Sequence, residues 1–176
     1  MSILDGKSIY LKLLTIDDIT DNYVSWMNDY EIVKYTESRF NPQSKETIKQ
    51  FIICANNSNN YLYGIFTKNN NTHIGNIKLG NINWIHRYGD IGIIIGEKSC
   101  WGKGVATEAI SLITKFAFNH LNLHKLVAGA YEYNIGSIKA FLKNEFIEVY
   151  NEREKYYFEG KYISCIHLEK INDRRL

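Results

Sequence analysis

One proline, three cysteines and the lack of any long apolar run set the first limits on this chain of 176 residues. Cys54, Cys100 and Cys165 are odd in number and widely spaced, with neither a Cys-x-x-Cys pair nor a histidine at metal-ligand spacing, so neither disulfides nor a bound metal are expected. Cys100 sits beside a glycine loop, but nothing nearby in sequence supplies the histidine a nucleophilic thiol needs, and it reads as a packing residue. The longest apolar run, Ile91 to Ile95 with Gly92 inside it, falls far short of the roughly 20 residues that span a bilayer. Met1-Ser2-Ile3-Leu4-Asp5 has no basic-then-apolar leader pattern, and a soluble cytoplasmic protein is the expectation. An excess of one charge is missing too. The 21 basic and 19 acidic residues give a net charge of +2 and are well mixed, with only Asp173-Arg174-Arg175 as a local cluster, so no partner among nucleic acids or acidic membranes is expected.

What is present is enough for a core: 45% hydrophobic and 14% aromatic residues suit a single domain spanning 1–176, with no internal repeat or linker. Ser8 to Leu14 reads as a first strand and ends at Thr15-Ile16-Asp17-Asp18, a capping cluster for a helix carrying Ile19, Tyr23 and Trp26 on one face. Asn28 to Glu31 closes that helix, and an irregular stretch runs through Arg39. Asn41-Pro42-Gln43-Ser44 then starts a second helix with Ile48, Phe51, Ile52 and Ala55 at helical spacing. Tyr61–Thr67, Thr72–Ile82 and Tyr88–Ile95 read as an antiparallel meander, with Gly92 suggesting a bulge or a close backbone approach. Ala106, Ala109, Ile110, Ile113, Phe116 and Ala117 mark one face of the firmest helix, from Val105 to near His120. Lys125–Tyr131 is an apolar run suited to a strand parallel to Tyr88–Ile95, which makes a βαβ unit. A helix from Ile135 to Lys143 follows Asn134. Phe146–Tyr157 and Lys161–Leu168 form a last hairpin about Glu159-Gly160.

The turn inside the βαβ unit is the stretch from Cys100 to Ala109. Gly102 and Gly104 permit positive φ and leave room for a ligand, and the helix that follows exposes unpaired N–H groups carrying partial positive charge. Such a loop is an anion cradle, for which phosphate or pyrophosphate is the usual guest; an ordinary strand-to-helix turn has the same pattern. The Walker motif is excluded because no Gly-Lys-Ser or Gly-Lys-Thr ends the loop. The dinucleotide fingerprint fits poorly, since Thr107 stands where its third glycine belongs and the loop lies past mid-chain.

Trp101 to Ala109, Leu123-His124-Lys125-Leu126, Asn134-x-x-Ser137 and Phe141-Leu142-Lys143-x-x-Phe146 together resemble the GNAT acyl-CoA N-acetyltransferases, in particular the branch of ribosomal-protein, spermidine and aminosugar-nucleotide acetyltransferases. The resemblance covers nearly the whole chain. It implies an α/β (α+β) fold with a mixed seven-stranded sheet, an antiparallel N-terminal meander, splayed parallel fourth and fifth strands and four flanking helices. It also implies acetyl-CoA as co-substrate, its pyrophosphate on the amides of Gly102, Lys103, Gly104, Val105, Ala106 and Thr107. Trp101 replaces a frequent Arg or Gln, which shifts the phosphate grip to the backbone and Lys103. The pantetheine arm would run between the splayed strands and pair with the main chain of Ile93, Ile94 and Ile95, with the acetyl carbonyl near a backbone N–H. Asn134, Ser137 and Phe141 fall on the same cofactor side. Phe141 occupies the position where many members carry a tyrosine general acid, and a phenyl ring has no proton to give. Ser137 is then the implied donor to the departing thiolate, as in the ribosomal-protein branch.

The acceptor implied is a primary amine acetylated directly in a ternary complex: a small amine or aminosugar nucleotide, or alternatively a protein N-terminus, with a non-catalytic acyl-CoA-binding module as the other class. A monomer or homodimer is expected. Trp26, Glu31, Arg39, Tyr156 and Tyr157 are the candidate acceptor-side residues, with Asp90 beside them. An ammonium acceptor has a pKa of about 10, so a base is needed. Asp90, Glu97 and His86 are candidates, directly or through water, although Asp90 and Glu97 read better as solvated charges and His86 as a loop histidine; His124 resembles a family position that is usually structural.

Overall fold

A computed structural model of the protein describes residues 3–173, which leaves Arg174 and Arg175 of the basic cluster, and Met1 and Ser2 of the start, outside the described residues. Eight strands, β1 (Leu4–Asp5), β2 (Ile9–Leu13), β3 (Tyr61–Thr67), β4 (His73–Asn83), β5 (Tyr88–Ile95), β6 (Lys125–Tyr131), β7 (Ile147–Phe158) and β8 (Lys161–Ile171), form one sheet in the order β1-β2-β3-β4-β5-β6-β8-β7. Five helices accompany it: α1 (Asp21–Asn28), α2 (Tyr30–Val33), α3 (Lys45–Asn56), α4 (Val105–Asn119) and α5 (Ile135–Leu142). None of them is long and apolar enough to cross a membrane.

The mixed α/β architecture is the one the sequence implies, with one strand and one helix more. The added strand, β1, is a two-residue edge paired as Leu4↔Leu11 and Asp5↔Tyr10, too short to leave an alternating pattern. The added helix, α2, is one turn inside the stretch read as irregular; Asp29 starts it by accepting from the Glu31 N–H at 3.0 Å. Thr15 to Asp18 caps a short 3-10 turn rather than α1, and Thr20 is the residue that accepts from Tyr23 N–H at 3.1 Å and opens α1. Both clusters carry the same capping chemistry, so composition alone does not choose between them.

Helices cover both faces of the sheet. On one face Ala109, Ile110, Ile113 and Ala117 of α4 are fully buried against Leu11, Tyr63, Ile65, Ile77 and Leu79. On the other, Tyr23 and Trp26 of α1 and Ile48, Ile52 and Ala55 of α3 enclose Leu14 and Leu62. Each fully buried aliphatic side chain contributes on the order of 1.5–3 kcal/mol, so α4, with two such isoleucines, is held chiefly by its apolar stripe. Trp26 lies directly over Gly96 in this second cluster, where a Cβ would fall inside the indole.

The β4–β5 ladder runs unbroken from Gly75↔Ile95 to Gly80↔Asp90. The bulge expected at Gly92 is therefore absent. The irregularity lies instead between Gly80 and Asn83, where Asn81 takes a φ of 49°. Gly92 has open space above it, with nothing within 4 Å of a Cβ built there.

Two glutamates allow the local backbone to be tested, with opposite expected signs. Glu108, on α4, accepts from the Lys7 and Ser8 N–H groups and from the Ser8 hydroxyl, tying the β1–β2 loop to the helix. Burial raises its pKa, but the hydrogen bonds from Ser8, Lys7 and Ile9 together outweigh that and hold it below the ordinary 4.5. A depressed carboxylate stabilises the fold above its unfolded pKa and loses that contribution as pH falls through the folded value. Glu108→Gln should accordingly melt below the parent at neutral pH, with the gap closing as pH drops below 4.5; a gap of equal size at pH 3 and pH 7 would contradict this.

The turn after α5 offers the second test. Glu145 is the left-handed residue there, at φ 63°, while Asn144 donates to the carbonyls of Thr107 and Ala140 at 2.9 Å. The Glu145–Lys170 pair at 2.7 Å is exposed and worth little against the roughly 1 kcal/mol or more that a side chain costs in that region. Glu145→Gly is expected to raise the melting temperature, whereas Asn144→Gly, which loses two hydrogen bonds, is expected to lower it.

Candidate active site

β5 and β6 are paired in parallel only at Tyr88↔Lys125, Gly89↔Leu126 and Asp90↔Val127. The vertex is closed by the N–H groups of His124 and Lys125, which both donate to the Arg87 carbonyl at 2.6 and 3.1 Å. Beyond Asp90 the strands part, β5 staying with β4 and β6 continuing along β8. The Gly96 N–H bonded to Ile74 O at 2.9 Å sets the phase of the β4–β5 ladder. In an antiparallel pair that phase turns the main-chain groups of Ile91, Ile93 and Ile95 away from β4, toward the open edge, and ties those of Ile94 to Asn76. Ile95 O is already taken by the Trp101 indole N–H at 2.9 Å. The free main chain at this edge is thus narrower than the resemblance implies: Ile93 N–H and C=O, and Ile95 N–H.

A cleft of about 580 Å³ opens at this divergence. Ile93, Ile94, Ile95, Trp101, Gly102, Gly104, Val105, Ala106, Thr107, Asn134, Ser137 and Glu31 line it, so most of the residues singled out in the sequence are brought together. Gly102 and Gly104 have φ of 73° and 82°, the left-handed region that a side chain strains to adopt. Gly104 is the N-cap of α4 with no side-chain cap, and the first bond of the helix is Glu108 N–H to Gly104 O at 2.9 Å. The N–H groups of Val105, Ala106 and Thr107 therefore have no helical acceptor and face the cleft with the positive end of a four-turn helix behind them. Asn134 caps α5, its Oδ1 accepting from Ser137 N–H at 3.3 Å. Ser137 is half-buried one turn in, and its hydroxyl makes no hydrogen bond among the described residues.

Lys139 on α5 and Lys143 at its C-cap also line the cleft, four residues apart. Nothing in the sequence pattern singles them out beyond that i,i+4 spacing. They add cations to a cradle otherwise made of backbone.

A second cleft, of about 450 Å³, lies on the α1–α3 side and shares Thr36, Ile93 and Ile94 with the first. Its floor follows from strand register: Leu62↔Lys78↔Gly92 form one row across β3, β4 and β5, and Gly64↔Asn76↔Ile94 the next. Tyr23, Met27, Ile48 and Phe51 wall it, and Glu37 and Ser38 close it near Thr36. Phe51 is half exposed at a position whose helical spacing predicts core, because this cleft lies beside it. Glu37 accepts from the Tyr131 hydroxyl at 2.9 Å. Burial and then that carboxylate push the Tyr131 phenol up to about 12.

Several expected site residues lie elsewhere. Trp26 is core, packed on Gly96 and edge-on to His73, because a large indole on the apolar face of α1 finds its partner in the sheet. Phe141 is buried and meets Phe146 edge-on at 5.1 Å, so it packs under α5 and does not face the cofactor cleft. Arg39 stacks over Phe40, Tyr131 and Phe158 and donates to the carbonyls of Lys34 and Tyr157, which spends its guanidinium on holding the 3-10 turn Glu37–Phe40. Tyr156 stacks on Tyr131 at 3.9 Å, its hydroxyl 3.6 Å from Cys165 Sγ, and burial raises its pKa well above the usual range. Tyr157 is exposed against Tyr162. Asp90 lies at the paired end of the strands, below the divergence, with Oδ2 on Asn81. Lys103 is exposed outside the cleft lining. Glu97 accepts from Ser99 N–H at 3.2 Å and His86 is an exposed loop residue, so none of the three base candidates lines either cleft.

Residues 8–147 match the model of the Acetyltransferase (GNAT) domain family. A probable N-acetyltransferase of Bacillus subtilis, YjcK, is 26% identical over 82% of this chain and 83% of its own length. Among solved structures, spermidine N-acetyltransferase from Vibrio cholerae, in complex with CoA and spermine, superposes with a TM-score of 0.83 at 22% identity, covering 93% of this chain and 95% of that one. Ribosomal-protein-S5-alanine acetyltransferase from Vibrio fischeri gives 0.79 at 19% identity, covering 99% and 98%. With the family match spanning most of the chain and the two clefts meeting at an open strand edge, this protein belongs to the GNAT family and is an N-acetyltransferase.

Proposed function

We propose that the larger cleft takes acetyl-CoA, the smaller takes a small primary amine, and the acetyl group passes directly between them in a ternary complex. The observation that carries this is the meeting of the two clefts at Thr36, Ile93 and Ile94, on the edge of β5. The unpaired N–H groups of Val105, Ala106 and Thr107, with Lys139 and Lys143 beside them, suit the diphosphate of CoA. The open edge at Ile93 and Ile95 suits the amides of its pantetheine arm.

At the junction the amine lone pair attacks the thioester carbonyl carbon. The oxyanion that forms is held by the Ile93 N–H, the carbon–sulfur bond breaks, and the electron pair leaves on the CoA sulfur. One proton leaves the amine and one joins the sulfur. Ser137 is assigned the second transfer because its unengaged hydroxyl lines the cleft and Phe141 is both buried and without a proton.

Gly104→Val tests the cradle. A branched side chain at φ 82° is strained, and it would project into space that is empty of protein. The variant is expected to lose the thermal stabilisation given by CoA, a shift equivalent to about 2.7 kcal/mol at 100 times Kd for the parent, while remaining folded. NAD should shift neither protein. A folded Gly104→Val variant with parental CoA affinity would remove the loop from the site.

Ser137→Ala tests the donor. A CoA thiol resembles cysteine, with a pKa of about 8.5, so its thiolate is only mildly basic and the loss should be modest, about ten- to a hundredfold in kcat. An earlier melt with unchanged turnover would reduce Ser137 to a structural residue of α5.

A further inference from the structure

The acceptor cleft carries one charge of each sign and otherwise neutral, mostly apolar walls. Glu37 and Lys78 are the charged residues among those that line it. Glu37 follows Thr36, the residue shared with the cofactor cleft, and so lies at the junction end of the acceptor cleft, its carboxylate accepting from the Tyr131 hydroxyl at 2.9 Å. Lys78 stands in the next row of the floor, opposite Gly92, two residues along β5 from Ile94. It makes no hydrogen bond or ion pair among the described residues. Its stem leans toward Gly80, away from the junction, with Cε at 2.8 Å from the place a Gly80 Cβ would take. The bare Gly92 beside it leaves open space where a side chain would otherwise stand. Met27, Ile48, Phe51 and Leu62 supply apolar lining to the same cleft.

We infer that the acceptor is an amine whose apolar body also carries an acidic group, a carboxylate or a phosphate, which pairs with Lys78 while the amine sits by Glu37. This rests on the acetyl-transfer reading above and narrows its substrate class. At about 3.4 Å per strand residue, the row of Lys78 and the lean toward Gly80 place the acid roughly 7–13 Å from the amine. An α-amino acid, with its carboxylate one carbon from the nitrogen, does not span that gap. A polyamine meets a lysine where its second ammonium would lie, and like charges repel.

Five amines on one six-carbon body separate these cases: hexylamine, 2-aminohexanoate, 6-aminohexanoate, 6-aminohexyl phosphate and 1,6-diaminohexane, each assayed by thiol release from acetyl-CoA. The two ω-acids are expected to exceed hexylamine and 2-aminohexanoate in kcat/KM by about tenfold or more, the range a charge-assisted hydrogen bond supports, and the carboxylate and phosphate arms show which acid is preferred. Lys78→Met should erase that ratio, and Lys78→Glu should invert it in favour of 1,6-diaminohexane. Equal rates for all five amines, or a ratio that survives Lys78→Met, would overturn the inference and leave Lys78 as a diagonal neighbour of Asp90. Silence from all five amines in a protein that acetyl-CoA stabilises would overturn it as well. Silence together with no stabilisation by acetyl-CoA would overturn the acetyl-transfer reading itself.

Discussion

The divergence of β5 and β6 after Asp90 is the constraint on which the rest depends. Three parallel pairs hold the strands together and nothing holds them beyond, so Ile93 and Ile95 keep main-chain groups that no neighbouring strand takes. An unpaired backbone group buried in protein is costly, and an edge left open in the middle of a sheet therefore needs solvent or a ligand. Both clefts grow from this. The larger one occupies the gap itself, with the first turn of α4 at one end and α5 at the other. The smaller one lies over the face of β4 and β5 and reaches the gap only at Ile93 and Ile94. The Trp101 indole on Ile95 O limits the edge from the loop side. It also anchors the glycine loop to the strand whose edge it borders, so that the loop and the open edge are parts of one frame.

What the sequence made legible follows a physical division. The cofactor side is built from local chemistry, and local chemistry leaves marks: glycines at positive φ in Trp101 to Gly104, an uncapped helix start, an Asn three residues before a Ser. Those residues do meet in one cleft. Phe141 did not join them because helical spacing gives a face without saying how deep it sits, and at this depth the ring meets Phe146. The turn after α5 shows the same limit at finer scale. Asn144 has the better intrinsic tolerance for the left-handed region, yet its side chain is needed by Thr107 O, and the conformation passes to Glu145. Tertiary demand overrode propensity by one residue.

The acceptor side is made of long-range pairings and was correspondingly opaque. Lys78 and Gly92 are opposite each other only because of strand register, and Glu37 sits in a 3-10 segment with no periodic signal. Arg39, Tyr156 and Trp26 were reasonable wall residues by type, but each is spent on structure. Arg39 and Tyr156 pack on Tyr131 from different elements, and that aromatic cluster fixes the phenol that in turn donates to Glu37. These side chains act on the cleft by holding one of its charged groups in place, not by lining it.

The two protons of the reaction are not equally hard to move, and this bears on why a phenylalanine at 141 is compatible with catalysis. A thiolate with a conjugate acid near pKa 8.5 leaves readily at neutral pH, so its protonation demands little of the protein. An alkylammonium near pKa 10.4 must lose its proton before attack, which at pH 7 costs about 1.36 kcal/mol per pH unit, or roughly 5 kcal/mol in all. In the proposed reaction that cost falls in the smaller cleft, where desolvation among Met27, Phe51 and Leu62 would disfavour the charged amine and ease the loss. A carboxylate there has two opposed effects. In the proposed reaction Glu37 would draw the ammonium in and by the same attraction hold its proton on, so it would serve arrival better than deprotonation unless the proton passes to it or to water. The Tyr131 hydrogen bond delocalises part of the Glu37 charge and so moderates that grip. On the proposed assignment of the clefts, the chemical burden thus rests on the one built from register and packing, and the larger cleft, where the recognisable motifs lie, carries mainly binding and alignment.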